Sequence, residues 1–420
     1  MRGKFFLSLL FAGLLFGGVL VLAPPVQARA MHAVLQRSDP TDGSVIATGP
    51  ASIRLWFSEP VQLVGQSITI LAPSGIIVDR GEASTRNGLL QVGVDAHIAG
   101  TYLVIWQVIS QDTAPVSGRF IFSVRHVSGR WTDTTSGGTP GLFLQILARL
   151  LHLLGYALGF GSLAFYRLVL RPLSLEHEEA VMKRLFQLVT AGIVLLVLAE
   201  PLALLAQFVA LQTGTLADPF ILGDILSTSF GRVLAQRLGA ALLLWVLMGV
   251  VRQGNQKALS LALLPGIILA FVDGQSDHAI SSNPIWLGFV ANALHIIAMA
   301  VWLGGLVALL SIWRLKEVRD QRRELIATFS PVALTSVIEL VITGVILAVL
   351  HIPRFTALFT TDYGKTLTIK LTVFLLALTL VMVSRRVSEQ RRKRWWTGEL
   401  GVLICVLTLA ALLVSLPPPS

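Results

Sequence analysis

The pattern of apolar and polar residues divides the chain into two dissimilar parts. Between about residues 32 and 125, short runs alternate apolar and polar side chains with a period of two, and turn-forming pairs such as Asp42-Gly43 separate them. The clearest runs lie at 52–57, 66–71, 89–94, 102–108 and 119–124. Short strands at this spacing predict an antiparallel β-sandwich or barrel. From Gly141 onward the chain consists of long apolar runs with short polar joints, which predicts membrane helices.

The apolar runs predict about eight membrane helices, since each crossing needs roughly 20 residues. They lie near 143–166, 186–211, 231–251, 257–273, 286–313, 327–351, 366–384 and 399–416. Joints rich in Lys and Arg, at 167–184, 252–257, 314–323 and 385–394, alternate with joints that hold few or none. Basic joints stay in the cytoplasm. We therefore expect a multi-pass protein of the cytoplasmic (inner) membrane, with the β-domain and the C-terminus outside.

The beginning of the chain has the features of an export signal. Arg2 and Lys4 precede an apolar run at 5–23, and Ala28-Arg29-Ala30 has the small-x-small form of a cleavage site. This predicts a signal peptide over residues 1–30, although an uncleaved anchor would export the next segment equally well. The expected domains are then an outer β-domain at 31–125, a linker rich in Ser, Thr and Gly at 126–141, and a membrane domain at 142–420.

The composition narrows the class of protein. Of 420 residues 54% are hydrophobic and 13% charged, whereas about a quarter are charged in a typical soluble domain. The net charge of +10 comes from basic residues beside apolar runs, which indicates membrane topology and not nucleic-acid binding. The single cysteine, Cys405, excludes an intrachain disulfide and a thiolate cluster. No hydrolase or phosphate-binding motif occurs, so we expect no enzyme.

Four histidines fall at similar depth, in or just above the outer half of the predicted bilayer. These are His152, His278, His295 and His351. An imidazole in lipid needs either a structural partner or a function. A single intramembrane histidine often only bonds a neighbouring helix, so both readings stay open.

Two further residues share a helical face with His295. Met299 follows at i+4 and Trp302 at i+7. Imidazole and thioether suit a late transition metal, and thioether favours Cu(I). We therefore predict His152, His278, His295 and Met299 as metal ligands, with packing of the bundle as the alternative role for Met299.

Two carboxylates lie inside predicted membrane helices. Glu200 and Glu339 are costly in lipid and should face the bundle interior. They could relay protons, attract a cation, or pair with Arg149 or Arg237, and the residues alone leave these roles open. The predicted ion pathway consists of these two carboxylates together with Trp302 and His351, which ends its helix.

The motifs of both parts resemble a known family. His32 with residues 33–43, the run Leu-Trp-Phe-Ser-Glu-Pro at 55–60, and residues 100–118 are similar to the CopC copper-binding domain. Leu294-His295 through Gly304-Gly305, together with residues 361–365, is similar to the CopD family. The order of these motifs resembles a CopC–CopD fusion.

The resemblance implies an architecture and a function. It implies a seven-stranded, Ig-like Greek-key sandwich outside, followed by an all-α polytopic bundle. It also implies copper transport across the cytoplasmic membrane, with copper, as Cu(I) or Cu(II), as the ion carried. Partners would be membrane lipid and an extracytoplasmic copper chaperone.

The resemblance also implies a Cu(II) site, which this chain has altered. In the CopC family the ion is held by an N-terminal His and by the Asp and His of an Asp-Thr-His-Pro motif. Here residues 112–115 read Asp-Thr-Ala-Pro, and Met31 precedes His32. Because oxygen ligands replace nitrogen poorly for this ion, we expect His32 and Asp112 to bind copper weakly or not at all.

Two alternative functions remain at this point. Histidines at similar depth on neighbouring helices could ligate a b-type haem in a redox protein. The chain could also be a non-transporting sensor or assembly module, whose outer domain binds another protein.

Overall fold

The computed structural model describes residues 33–111, 113–129, 141–211, 219–253, 257–275, 284–352, 356–386 and 389–416. The predicted signal peptide and most of the predicted linker lie outside these ranges. So do three predicted site residues, His32, Asp112 and His278.

The outer part folds as two four-stranded sheets. Their strands are β1 (Leu35–Asp39), β2 (Val45–Ile46), β3 (Ser52–Phe57), β4 (Ile68–Leu71), β5 (Asp79–Arg86), β6 (Leu89–Val94), β7 (Gly100–Ile109) and β8 (Pro115–Val124). One sheet has the order β1-β3-β6-β5 and the other β2-β8-β7-β4. The pairing is antiparallel throughout except between β2 and β8. The predicted all-β sandwich is confirmed.

Alternation of side chains explains the core of the sandwich. On β3, Ile53, Leu55 and Phe57 are buried while the residues between them are not. On β6 the same period buries Leu90, Val92 and Val94. One face of each strand therefore points into the space between the sheets, as a period of two requires.

Three strands, β1, β2 and β5, lie outside the five runs that the sequence predicted. Strand β5 lies at the edge of its sheet and carries no buried residue. Its sequence is almost wholly polar, so it lacks the apolar alternation by which a strand is recognised. With β5 and the two-residue β2, the described sandwich has eight strands and not the seven implied by the resemblance.

The membrane part consists of helices. They are α1 (Leu142–Leu173), α2 (Glu179–Leu211), α3 (Pro219–Ser227), α4 (Ser229–Arg252), α5 (Lys257–Leu261), α6 (Leu263–Asp273), α7 (Ile285–Ile312), α8 (Arg322–His351), α9 (Ala357–Thr360), α10 (Asp362–Arg386) and α11 (Glu389–Ser415). Within the described residues, seven are long and apolar enough to cross a membrane. The apolar stretch Ala258–Asp273 is shorter, and it breaks at Ala262 into α5 and α6. The predicted polytopic helical bundle is confirmed.

Helix α7 lies at the centre of the bundle. In its most apolar window 61% of the residues are buried inside the protein, against 22 to 33% for the other six long helices. The other helices expose large apolar side chains outward, such as Trp245 and Val246 on α4. Such side chains face the hydrocarbon of a bilayer, which solvates them well.

Helix α1 approaches its neighbours at glycines. A side chain on Gly161 would collide with the carbonyl oxygen of Ala300 on α7, and one on Gly304 would collide with that of Ala157 on α1. At this contact α1 has a π-helical turn, Ala157–Gly161. Small residues allow membrane helices to pack backbone against backbone. These glycines therefore set the spacing between α1 and α7.

The β-sandwich is docked on the membrane helices. Val64 and Ile109 of the sandwich form one buried apolar cluster with Phe208, Leu211 and Ile225 of the bundle. Hydrogen bonds surround this cluster. The amide of Gly65 donates to Asp224 Oδ2 (3.0 Å), and the amide of Ser229 donates to Gln62 Oε1 (2.8 Å).

The glycine contact yields a first prediction. Gly304→Ala places a methyl group against the carbonyl of Ala157, so we expect the free energy of unfolding to fall by about 1–3 kcal/mol. Gly249→Ala on α4 is the control, because a Cβ there meets nothing within 4 Å, and it should be neutral or stabilising by up to about 1 kcal/mol. Thermal unfolding of the purified protein in detergent measures both. Equal stability of the two variants would contradict the assignment.

Candidate functional site

One cavity joins the outer domain to the interior of the helix bundle. Its volume is about 1480 Å³. Its outer wall includes Trp106 and Gln107 of β7, Thr113 and Ala114 before β8, and the start of β8 from Pro115 to Arg119. Its inner wall includes five of the predicted site residues, namely His152, Glu200, His295, Met299 and Trp302. A further predicted site residue, His351, also lines the cavity and lies buried at the end of α8.

His152 is held between two carboxylates. Its Nδ1 lies 3.1 Å from Glu200 Oε1 on α2, and its Nε2 lies 3.0 Å from Asp273 Oδ2 at the end of α6. All three residues are buried. Ionised carboxylates only accept hydrogen bonds, so an imidazolium that donates from both nitrogens satisfies this geometry. While both carboxylates are in place, His152 has no ring lone pair for a metal.

Arg237 completes this group, which we call the ionic cluster: His152, Glu200, Asp273 and Arg237. Arg237 Nε on α4 donates to Asp273 Oδ1 at 2.9 Å. Two carboxylates thus face one guanidinium and one imidazolium, and the cluster is close to neutral. Of the pairings left open by the sequence, Arg237 meets Asp273 and not Glu200, and Arg149 donates to Ser415 Oγ at 3.0 Å.

His295 has a different environment. Its Nδ1 lies 2.9 Å from Thr343 Oγ1 on α8, and that hydroxyl donates its proton to the carbonyl oxygen of Glu339 at 2.6 Å. The hydroxyl therefore accepts from Nδ1–H, which leaves the lone pair on Nε2. A ring fixed in this tautomer through its second nitrogen is the usual arrangement of a histidine metal ligand.

Met299 and Trp302 lie below His295 on the same face of α7. Both line the cavity, as their spacing predicts. The indole Nε1 of Trp302 donates to Glu399 Oε1 on α11 at 3.3 Å. Its ring packs edge-on against Phe374 of α10 at a centroid distance of 6.0 Å. Trp302 therefore joins three helices and closes the wall beneath Met299.

Glu339 lies apart from the other predicted site residues. It is half-buried on α8 and is absent from the cavity wall. Its contribution to the site is the backbone carbonyl that receives the proton of Thr343. The structure thus brings Glu200 to the cavity and leaves the side chain of Glu339 outside it.

Part of the outer wall of the cavity comes from the segment between β7 and β8, which would carry the outer copper site. Thr113 has a left-handed backbone, with φ of 70°, and its carbonyl accepts a long hydrogen bond of 3.5 Å from Gln207 Nε2 on α2. Ala114 and Pro115 line the cavity beside it. Ala114, the position at which the CopC motif has histidine, therefore faces the membrane domain.

Four contributing residues were missed by sequence reasoning. Asp273, Thr343, Lys370 and Glu399 each line the cavity or contact a residue that does. The three charged residues, Asp273, Lys370 and Glu399, could have been identified from the sequence, since any charge inside an apolar run is costly. Nothing in the sequence distinguishes Thr343, because threonine is common in membrane helices.

Comparison with known proteins identifies the family. Residues 35–125 match the CopC domain, residues 139–286 match the N-terminal domain of copper resistance protein D-like proteins, and residues 323–413 match copper resistance protein D. The chain is 32% identical over 117 residues to copper resistance protein C of Xanthomonas campestris pv. juglandis, covering 26% of this chain and 91% of that protein. The chain belongs to the CopC–CopD copper resistance family.

Two longer matches support the assignment of this CopC–CopD protein. It is 25% identical over 413 residues to the copper transport protein CutJ of Bacillus subtilis (strain 168), covering 92% of this chain and 74% of CutJ. It is 27% identical over 297 residues to the inner membrane protein YebZ of Escherichia coli (strain K12), covering 66% of this chain and 99% of YebZ. The resemblance drawn from the motifs is confirmed.

The donor set of this CopC–CopD protein is sparse. Within the part of the chain that the structure describes, no three His, Cys, Asp or Glu residues are grouped as a metal site. The ionic cluster occupies both nitrogens of His152, so a haem iron would find no free nitrogen there. Among the predicted ligands, His295 and Met299 present the donors that suit Cu(I).

The ionic cluster yields a second prediction. Asp273→Asn removes the charge that holds both Arg237 and His152, and breaking a buried pair leaves uncompensated charge. We expect the free energy of unfolding to fall by about 3 kcal/mol. Glu339→Gln makes the same acid-to-amide change outside the cavity and should cost less than about 1 kcal/mol. Thermal unfolding in detergent compares them, and an equal loss in both would be inconsistent with the cluster.

Proposed function

We propose that this protein carries copper from the outer face of the cytoplasmic membrane to the cytoplasm through the cavity between its two domains. The observation that carries the proposal is the continuity of that cavity, from the turn at Ala114 to His295 and Met299. A route without an ATP-binding motif implies movement by ligand exchange. The names of the relatives, CutJ above all, support copper as the cargo.

His295 and Met299 are the proposed ligands within the membrane. One turn of α7 separates them, so both donors can reach one ion. Thr343 is a positioning residue that holds the Nε2 lone pair of His295 available. His278, which the sequence places above α7, is proposed to pass the ion to them, and His152 could join only after a carboxylate has left one of its nitrogens.

The outer domain is proposed to deliver copper and not to store it. His32 and Asp112 remain from the family's Cu(II) site, whereas Ala114 contributes no donor. A weak site releases its ion readily, which suits a domain that forms one wall of the cavity. An extracytoplasmic copper chaperone would then be the source of the ion.

The proposed orientation follows from the basic joints. They place the sandwich and the C-terminus outside the cytoplasm, after export by the signal peptide at 1–30. The docking of the sandwich on the ends of α2 and α4 supports this orientation, since those ends adjoin a joint without Lys or Arg.

The proposed ligands yield a third prediction. His295→Ala should abolish copper-dependent accumulation in cells, and the purified variant should retain less copper after growth with the metal. Thr343→Val leaves the imidazole but removes its partner, so affinity should fall about 10- to 100-fold. Metal analysis of the purified protein and of whole cells measures both.

The matched control for these variants is Thr343→Ser, which keeps the hydroxyl and should bind copper as the parent does. Unchanged accumulation in both a deletion strain and the His295→Ala strain would contradict transport. A Soret band in the purified protein would instead favour haem.

The altered outer site yields a fourth prediction. Ala114→His restores the missing imidazole, so the full-length protein should bind Cu(II) at least about tenfold more tightly. The titration is done in the His295→Ala background, so that only the outer site changes. A parent affinity already equal to that of the Ala114→His variant would contradict the weak-site hypothesis.

A further inference from the structure

Lys370 is a half-buried cation that the proposed transport does not use. It is the ninth residue of α10, within the span Asp362–Leu380, and it lines the cavity. Within the described residues, its ammonium has no hydrogen bond or ion pair. A lysine at this depth is costly in lipid and normally faces a partner or a water-filled space.

Packing places Lys370 opposite His295. Trp302 of α7 packs on Phe374 of α10. Trp302 lies seven residues below His295, and Phe374 lies four residues below Lys370, each on the same helical face. At about 1.5 Å per residue, Lys370 and His295 lie within roughly one helical turn of each other in depth. Both side chains reach the same cavity.

The cavity has more positive than negative charge. Its described lining residues include two carboxylates, Glu200 and Asp273, and five cations: Arg119, Arg149, Arg237, Lys370 and the His152 imidazolium. Both carboxylates already belong to the ionic cluster. A bare copper cation approaching His295 would therefore meet repulsion from Lys370 with no free carboxylate to offset it, in a medium of low dielectric constant.

The size of the cavity supports a larger cargo than an ion. About 1480 Å³ is more than the 300–1,000 Å³ that commonly holds a small organic molecule. A metal ion with its own ligands fits such a space easily. The charge and the volume thus favour the same kind of cargo.

We propose that copper reaches His295 as an anionic Cu(I) complex with thiolate or halide ligands, and that Lys370 selects it. This inference rests on the proposed copper transport. At the site, the Nε2 lone pair of His295 forms a bond to Cu(I), and one copper–ligand bond breaks. The released ligand leaves as an anion with its electron pair, and the Lys370 ammonium stabilises it. Copper keeps its oxidation state throughout.

The test compares two copper sources on the purified full-length protein without oxygen. One is dichlorocuprate(I) in chloride buffer, and the other is the cationic acetonitrile complex of copper(I) in chloride-free buffer. The measured quantity is the ratio of the two initial loading rates, from rapid gel filtration and metal analysis. We expect the parent to prefer the anionic complex and Lys370→Gln to lower the ratio by about tenfold.

Two further variants separate charge from other roles. Lys370→Arg keeps the positive charge and should keep the ratio. Lys365→Gln, an exposed lysine on the same helix whose ammonium lies 3.7 Å from Asp362, should change nothing. A ratio lost equally in Lys370→Arg and Lys370→Gln would overturn the proposal in favour of an amine ligand.

A glutathione complex of copper(I) as a third source decides between thiolate and halide. Preference for either one over the cationic complex supports the proposal. A ratio unchanged in Lys370→Gln overturns this inference alone and leaves copper transport standing. No loading of the parent from any source overturns the proposed function as well.

Discussion

The need to compensate charge inside a membrane governs this structure. The ionic cluster brings together residues from α1, α2, α4 and α6, and each of them would be unstable in hydrocarbon by itself. The helices must therefore keep the positions at which these groups meet. Helix α6 is too short to be a reliable crossing by itself, yet its last residue, Asp273, is fixed by two partners. The cluster thus fixes the end of a helix that is shorter than the seven long crossings.

Local periodicity predicted most of the fold. The bounds of β3 and β6 agree with the alternating runs at 52–57 and 89–94, because each has one face buried in the sandwich. Strand β5 was not predicted, because an exposed edge strand has no apolar face. The helix break at Ala262 was not predicted either, since the apolar composition continues through it. Hydropathy reports the solvent around a segment and not the path of its backbone.

The candidate site was predictable only within single helices. His295, Met299 and Trp302 fall on one face because their spacing is local, and the cavity wall contains all three. The partners across helices, Thr343 and Glu399, depend on how the helices pack, which spacing along one helix does not encode. The same limit explains His152. Its depth was clear from the sequence, but the two carboxylates that occupy its nitrogens come from positions 48 and 121 residues away.

The docking of the sandwich through Gln62, Gly65 and their partners has a kinetic consequence. A separate donor protein must find its acceptor by diffusion, at a rate that depends on the concentrations of both. A donor fixed over its acceptor acts at an effective concentration in the millimolar range or above. In the proposed route, transfer between the two domains is then a first-order event, independent of how many copies the membrane holds. The cell can keep this protein scarce without slowing that step.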